Sequence, residues 1–153
     1  MSPRPINKRQ YEALSEFRFR LAEFLHFSES AAQKAGITPG QYLLLLHLRG
    51  FARREWGTVG ELAGRLQASH QGTVALVQRC ERNGLVAKRR SGRDARCVEV
   101  HLTARGRKLV QAIARSHAAA LVTMDSVFRA ATAAGAQVGR GSSRRRTKTA
   151  ARK

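Results

Sequence analysis

The chain has 153 residues, 42% of them hydrophobic, and 29 lysines and arginines against 10 acids, a formal net charge of +19. That length suits one ordinary domain with appendages, and the apolar content supports a packed core while excluding a membrane protein. The charge selects polyanions as partners, because each phosphate neutralised releases condensed counterions, but charge does not specify a fold.

Part of the excess is local. Residues 140–153 hold Arg140, Arg144, Arg145, Arg146, Lys148, Arg152 and Lys153 and no acid; without them 22 basic residues still face 10 acids. The folded part is therefore expected to be basic in its own right. Two cysteines, Cys80 and Cys97, cannot build a secreted disulfide framework. Residues 1–10 lack the apolar segment of a secretory signal, and the longest apolar run, Tyr42 to Leu46, is too short to span a bilayer. The expected location is the cytoplasm, with no membrane partner.

Taken in chain order, residues 1–7 read as a flexible N-terminus. A first helix runs from Lys8 to about Ala35, with Tyr11, Leu14, Phe17, Leu21, Phe24 and Leu25 on one stripe. Phe19 and Phe27 lie off that stripe, as in a helix packed on two sides. Gly36 ends it. Thr38-Pro39-Gly40-Gln41 is a capping box with proline at the first helical position, so a second helix follows, nearly all apolar from Tyr42 to Leu48. After a connector, Phe51 to Gly57, a second capping box at Thr58-Val59-Gly60-Glu61 opens a short third helix with Val59, Leu62, Ala63 and Leu66 inward. A turn at Ala68 leads to Ser69 as N-cap of a fourth helix ending at Asn83, with Gly84 after its C-cap. Two short helices joined this tightly match a helix-turn-helix.

The period then changes to two. Leu85 to Arg90 reads as a strand, Ser91 to Asp94 as a turn, and Ala95 to Leu102 as a returning strand. Thr103 caps a long last helix whose Leu109, Ile113, Ala120, Met124, Val127 and Ala131 form a stripe, read as a dimer seam because a small domain has no use for it. Residues 139–153 read as a basic disordered tail. The expected fold class is mainly α with a small β-hairpin wing: a winged helix-turn-helix, its DNA-binding lobe at about 38–102, plus N- and C-terminal helices forming a dimer arm within one domain over 8–138.

Gly36-Ile37-Thr38-Pro39 with Gln41-Tyr42, Thr58-Val59-Gly60-Glu61-Leu62-Ala63 with Leu66, Gly84-Leu85-Val86, Asp94-Ala95-Arg96 and Leu102-Thr103-Ala104-Arg105-Gly106 stand in one order. Together they resemble the multiple-antibiotic-resistance regulator (MarR) family over roughly residues 10–125. The resemblance implies a homodimeric DNA-binding repressor, relieved by a small aromatic effector or by cysteine oxidation. It also implies that Asp94 braces the hairpin and that Arg96 enters or borders a minor groove.

The residues supply their own argument for double-stranded DNA as partner. On the fourth helix Ser69, His70, Gln71, Thr73, Gln78 and Arg79 are the polar groups that could read a major groove. The hairpin concentrates Lys88, Arg89, Arg90, Arg93 and Arg96 around Asp94, and guanidiniums suit narrow A·T minor grooves. In the tail, Arg144, Arg145, Arg146 and Lys148 should add affinity without sequence preference. Cys97 and His101 share a strand but lack metal-ligand spacing, so no metal or cofactor is expected. No phosphate loop, nucleophile elbow or carboxylate pair points to an enzyme. The competing expectation is a sequence-tolerant architectural DNA binder.

Overall fold

A computed structural model describes residues 5–143, with side chains to residue 135. Its elements are α1 (Lys8–Lys34), α2 (Pro39–Arg49), β1 (Trp56–Thr58), α3 (Val59–Leu66), α4 (His70–Arg82), β2 (Val86–Arg90), β3 (Val98–Leu102) and α5 (Ala104–Ser143). The strands form one antiparallel sheet in the order β1-β3-β2. The expected mainly α class with a small β wing is observed, the hairpin being joined by a third strand.

Helix boundaries follow the local chemistry. Thr38 and Thr58 each make both bonds of a capping box, with Gln41 and Glu61 respectively. Such caps satisfy amides that the first turn leaves without partners, and each is worth about 1 kcal/mol. Gly36 and Gly84 have positive φ (81° and 68°). After each, a double closure forms: Ile37 N–H donates to the Ala32 carbonyl and Leu85 N–H to the Cys80 carbonyl, while the glycine N–H reaches Gln33 or Glu81. A side chain would be strained at either glycine, and this geometry reverses the chain at the end of the helix.

The chain divides into two compact units, residues 28–117 and a second made of residues 1–27 with residues 118–153. The larger has its core on α2, where Leu44, Leu45 and Leu48 are fully buried with Leu62, Val77, Cys80, Leu85, Val100 and Val110. Burying each leucine contributes about 1.5–3 kcal/mol. Gly106 is part of this packing. A Cβ there would meet the Leu85 carbonyl oxygen at 2.1 Å, while Thr103 Oγ1 donates to the Gly84 carbonyl (2.7 Å) and accepts from Gly106 N–H (3.0 Å). The start of α5 is thereby seated on the root of the sheet.

In the smaller unit the early part of α1 runs antiparallel to the late part of α5. Phe17 meets Phe128 edge-on at 5.2 Å between ring centroids, and Gln10 Nε2 donates to the Ala134 carbonyl (3.4 Å).

Three expectations need correcting. The α5 stripe is not a free seam: Ile113 and Met124 are buried, and Leu109, Ala120, Val127 and Ala131 are half-buried. Within the smaller unit, α1 supplies the apolar surface that a single-helix reading could not see. Trp56 and Gly57, read as connector, form with the capping Thr58 a strand on β3, too short to show a period. The last helix extends to Ser143, past the expected end at 138. The tail residues Arg144, Arg145, Arg146 and Lys148 lie outside the described residues.

Candidate nucleic-acid interface

α3, α4 and the β2–β3 hairpin belong to the larger unit, and their order is that of a helix-turn-helix followed by a wing. The turn between helices is tight because Gln67 adopts left-handed backbone (φ 51°) as the C-cap of α3. Ser69 then caps α4 by accepting from Gly72 N–H at 3.0 Å. Its hydroxyl is thus occupied in holding the helix start, although the residue is exposed.

The inward side of α4 is Thr73, Leu76, Val77 and Cys80. Thr73 departs from the sequence expectation: it is 1% exposed, and its hydroxyl donates to the Ser69 carbonyl at 2.9 Å. A four-residue step separates it from Val77, so helical geometry turns it into the core, where the backbone bond satisfies its polar atom. Its polarity alone had suggested a place on the outside. His70, Gln71, Gln78 and Arg79 are exposed as expected. Gln71, Ala75, Gln78 and Arg82 follow one another along a single exposed ridge, which adds Ala75 and Arg82 to the set. Ala75 went unnoticed because a search for hydrogen-bonding groups passes over a methyl, yet a methyl is what meets thymine.

On β2, Lys88 is not free. Its ammonium pairs with Glu81 of α4 at 3.0 Å, a bond that ties the hairpin to the helix. Arg89, Arg90, Arg93 and Arg96 are exposed, and among the described residues none has a carboxylate partner. The turn is braced by Asp94: Oδ1 accepts from Arg96 N–H at 2.9 Å, and the Asp94 carbonyl accepts from Cys97 N–H at 2.9 Å. A short acceptor bonding the backbone two residues on is a turn-forming device. Asp94 spends its charge near the arginines on geometry.

The two thiols differ. Cys80 is fully buried, and burial pushes its thiol up to about 11, so the nucleophilic thiolate is scarce. Cys97 is exposed in the hairpin.

A cluster that the sequence reading missed lies on the outer face of the sheet. The Arg54 guanidinium lies over the Phe51 and Trp56 rings, 4.6 Å and 4.4 Å from their centroids, and bonds Glu61 at 2.6 Å. The Arg54 bond, then the Thr58 amide, holds the Glu61 carboxyl below its ordinary value. Trp56 in turn stacks on His101, and His101 Nε2 lies 2.8 Å from Glu99 Oε2. Alternation along the returning strand puts His101 and Glu99 on one face, but their partner Trp56 sits on a strand too short to recognise.

Comparison with known proteins finds likenesses for this segment. Residues 35–96 match the family described as MarR. An HTH-type transcriptional regulator of Bacillus subtilis strain 168, YsmB, is 31% identical over 77 residues, which is 50% of this chain and 51% of that protein. The chain thus matches about half the length of that curated relative. A MarR family protein from Bacillus stearothermophilus has a similar structure, with a TM-score of 0.66 and 27% identity over 80% of this chain and 84% of the other. A Staphylococcus aureus MepR variant bound to an oligodeoxyribonucleotide is similar with a TM-score of 0.60 and 25% identity, covering 76% and 82%.

Proposed function

From the match of residues 35–96 to the MarR family we propose that the chain is a sequence-specific DNA-binding transcriptional regulator acting as a homodimer. One observation carries the reading. An exposed ridge of α4, with Gln71, Ala75, Gln78 and Arg82, is tied through Glu81 and Lys88 to a hairpin of four arginines without acidic partners. His70, Gln71, Gln78 and Arg79 face the major groove, where a glutamine can pair bidentately with adenine and an arginine with guanine. Arg93 and Arg96, on the Asp94-braced turn, enter or border the minor groove. Arg89 and Arg90, with Arg144, Arg145, Arg146 and Lys148, neutralise phosphates.

A second copy follows from apolar groups left outside. Of the exposed large hydrophobics, Ile6, Tyr11, Leu14, Phe19, Leu25, Phe27, Leu121, Val122 and Phe128 all fall in the smaller unit, and only Leu43 and Val98 in the larger. Such a concentration marks an interaction surface. Two recognition helices about 34 Å apart would then meet successive major-groove faces of a pseudo-palindrome. By family resemblance the regulator is a repressor, relieved by a small ligand that binds one spacing of those helices better than another.

Selection of genomic fragments by the purified protein at physiological salt tests the reading, followed by competition against mixed-sequence duplex. The expected preference is about 10³-fold or more. Equal affinity for all duplexes would move the assignment to an architectural DNA binder, and no DNA binding would end both.

A further inference from the structure

We infer that Glu99 and His101, on the outer face of the sheet, form a charge-compensating pair that positions the wing, so that protonation of His101 strengthens DNA binding. The inference rests on the wing being a DNA-binding element, as proposed above.

The pairing registers place the relevant groups together. Trp56 of β1 lies opposite His101 of β3, which lies opposite Ala87 of β2; in the next row Thr58 lies opposite Glu99, and Glu99 opposite Arg89. Cross-strand partners share a face of the sheet, as do residues two apart on a strand. Trp56, His101, Glu99 and Arg89 therefore form one continuous outer row, while Val86, Val100 and Leu102 point to the core. His101 and Glu99 are 2.8 Å apart, with side chains 21% and 15% exposed. The Trp56 and His101 rings stack with centroids 6.0 Å apart and planes 26° from parallel.

Besides Glu99, the charged groups facing this pair are Arg89 across the strand and Arg54, which covers the other side of Trp56 and attracts Glu99. Ser91 adds a side-chain hydrogen bond to Glu99. The hydrogen bond from His101 is the largest influence holding the Glu99 carboxyl below its ordinary value.

The charge balance gives the sign. With neutral imidazole, one ring N–H donates to the Glu99 carboxylate and the pair carries −1 into a hairpin that must approach phosphates. Taking one proton from solvent on the second ring nitrogen makes an ion pair of net zero. The DNA complex holds that proton more tightly than the free protein does, so affinity rises as pH falls, by at most one proton per chain.

Two readouts on the full chain test this. Trp56 is the only tryptophan, so its fluorescence reports its imidazole neighbour without DNA. Its emission is expected to change with pH in the wild type and to lose that change in His101→Gln. The second readout is affinity for a fluorescein-labelled mixed-sequence duplex at constant ionic strength, at about pH 8 and about pH 6. The other histidines are common to every variant, so the measured quantity is the difference between proteins. Between those pH values, wild-type affinity should rise about threefold to tenfold more than that of His101→Gln. Glu99→Gln should bind at the higher pH nearly as the wild type does at the lower. Equal pH responses in the wild type and His101→Gln, or unchanged fluorescence titration in the variant, would overturn the pair's role while leaving the DNA-binding wing in place. Absence of duplex binding at both pH values would overturn the wing reading itself.

Discussion

Arg96 sits in a turn whose backbone is already fixed, since its own amide donates to Asp94 Oδ1 at 2.9 Å. Its guanidinium has no acidic partner among the described residues, so it can meet a phosphate or a narrow groove without breaking an internal ion pair. Arg96→Ala is expected to weaken binding to a selected duplex by about 1–3 kcal/mol. Thermal melting should stay unchanged, because no core contact is lost; equal affinities by anisotropy at moderate salt would refute the assignment. Lys88 is different despite its similar charge. Its ammonium is engaged with Glu81, so its place is between helix and hairpin. Thr73 shows the limit of reading polarity alone. A hydroxyl that bonds the carbonyl four residues back can be buried at little cost, and only helical phase shows which way it points.

At the scale of elements, junctions matter more than interiors. Capping boxes at Thr58 and Thr38 start two helices, and the glycines at positions 36 and 84 end two others. Each follows from short-range bonding, which is why the sequence located them within about a residue or two. Gly106 is the junction with the least room. Its missing side chain lets α5 approach the Leu85 carbonyl, where a Cβ would stand at 2.1 Å. Backbone cannot yield as a flexible side chain does. Gly106→Ala is therefore expected to lower unfolding free energy by about 1–3 kcal/mol, despite alanine's better helix propensity. Urea denaturation followed by circular dichroism measures it, and a neutral or stabilising result would show that the helix start can shift freely. β1 is the opposite case. Three residues, Trp56–Thr58, carry no readable period, and only pairing with β3 makes them a strand.

For the whole molecule the decisive feature is which apolar groups remain outside. The stripe along α5 was expected at a subunit seam, yet its Met124 is buried and Val127 half-buried within the smaller unit. Leu121 and Val122 of the same helix are 56% and 76% exposed, and Phe128, whose ring meets Phe17, is still 47% exposed. If a second copy covers them, Leu121→Lys with Val122→Lys should convert the dimer to monomer in sedimentation equilibrium. The larger unit should keep its melting transition, because neither residue belongs to it. Affinity for a palindromic duplex should fall by more than tenfold as bivalent binding is lost. A dimer that survives both charges would place the interface elsewhere.

The sequence by itself determined the order of the elements, their caps, the basic hairpin and most of the exposed helix face, since each depends on residues within a turn or two of one another. Family resemblance rested on those same local signatures. Tertiary structure alone decided that Lys88 is paired, that the α5 stripe is covered from within the chain, and that Trp56 joins His101 and Glu99 in one outer row. Those outcomes depend on partners distant in sequence. A residue's own type and spacing reveal that it needs a partner, but they cannot say which distant side chain supplies it.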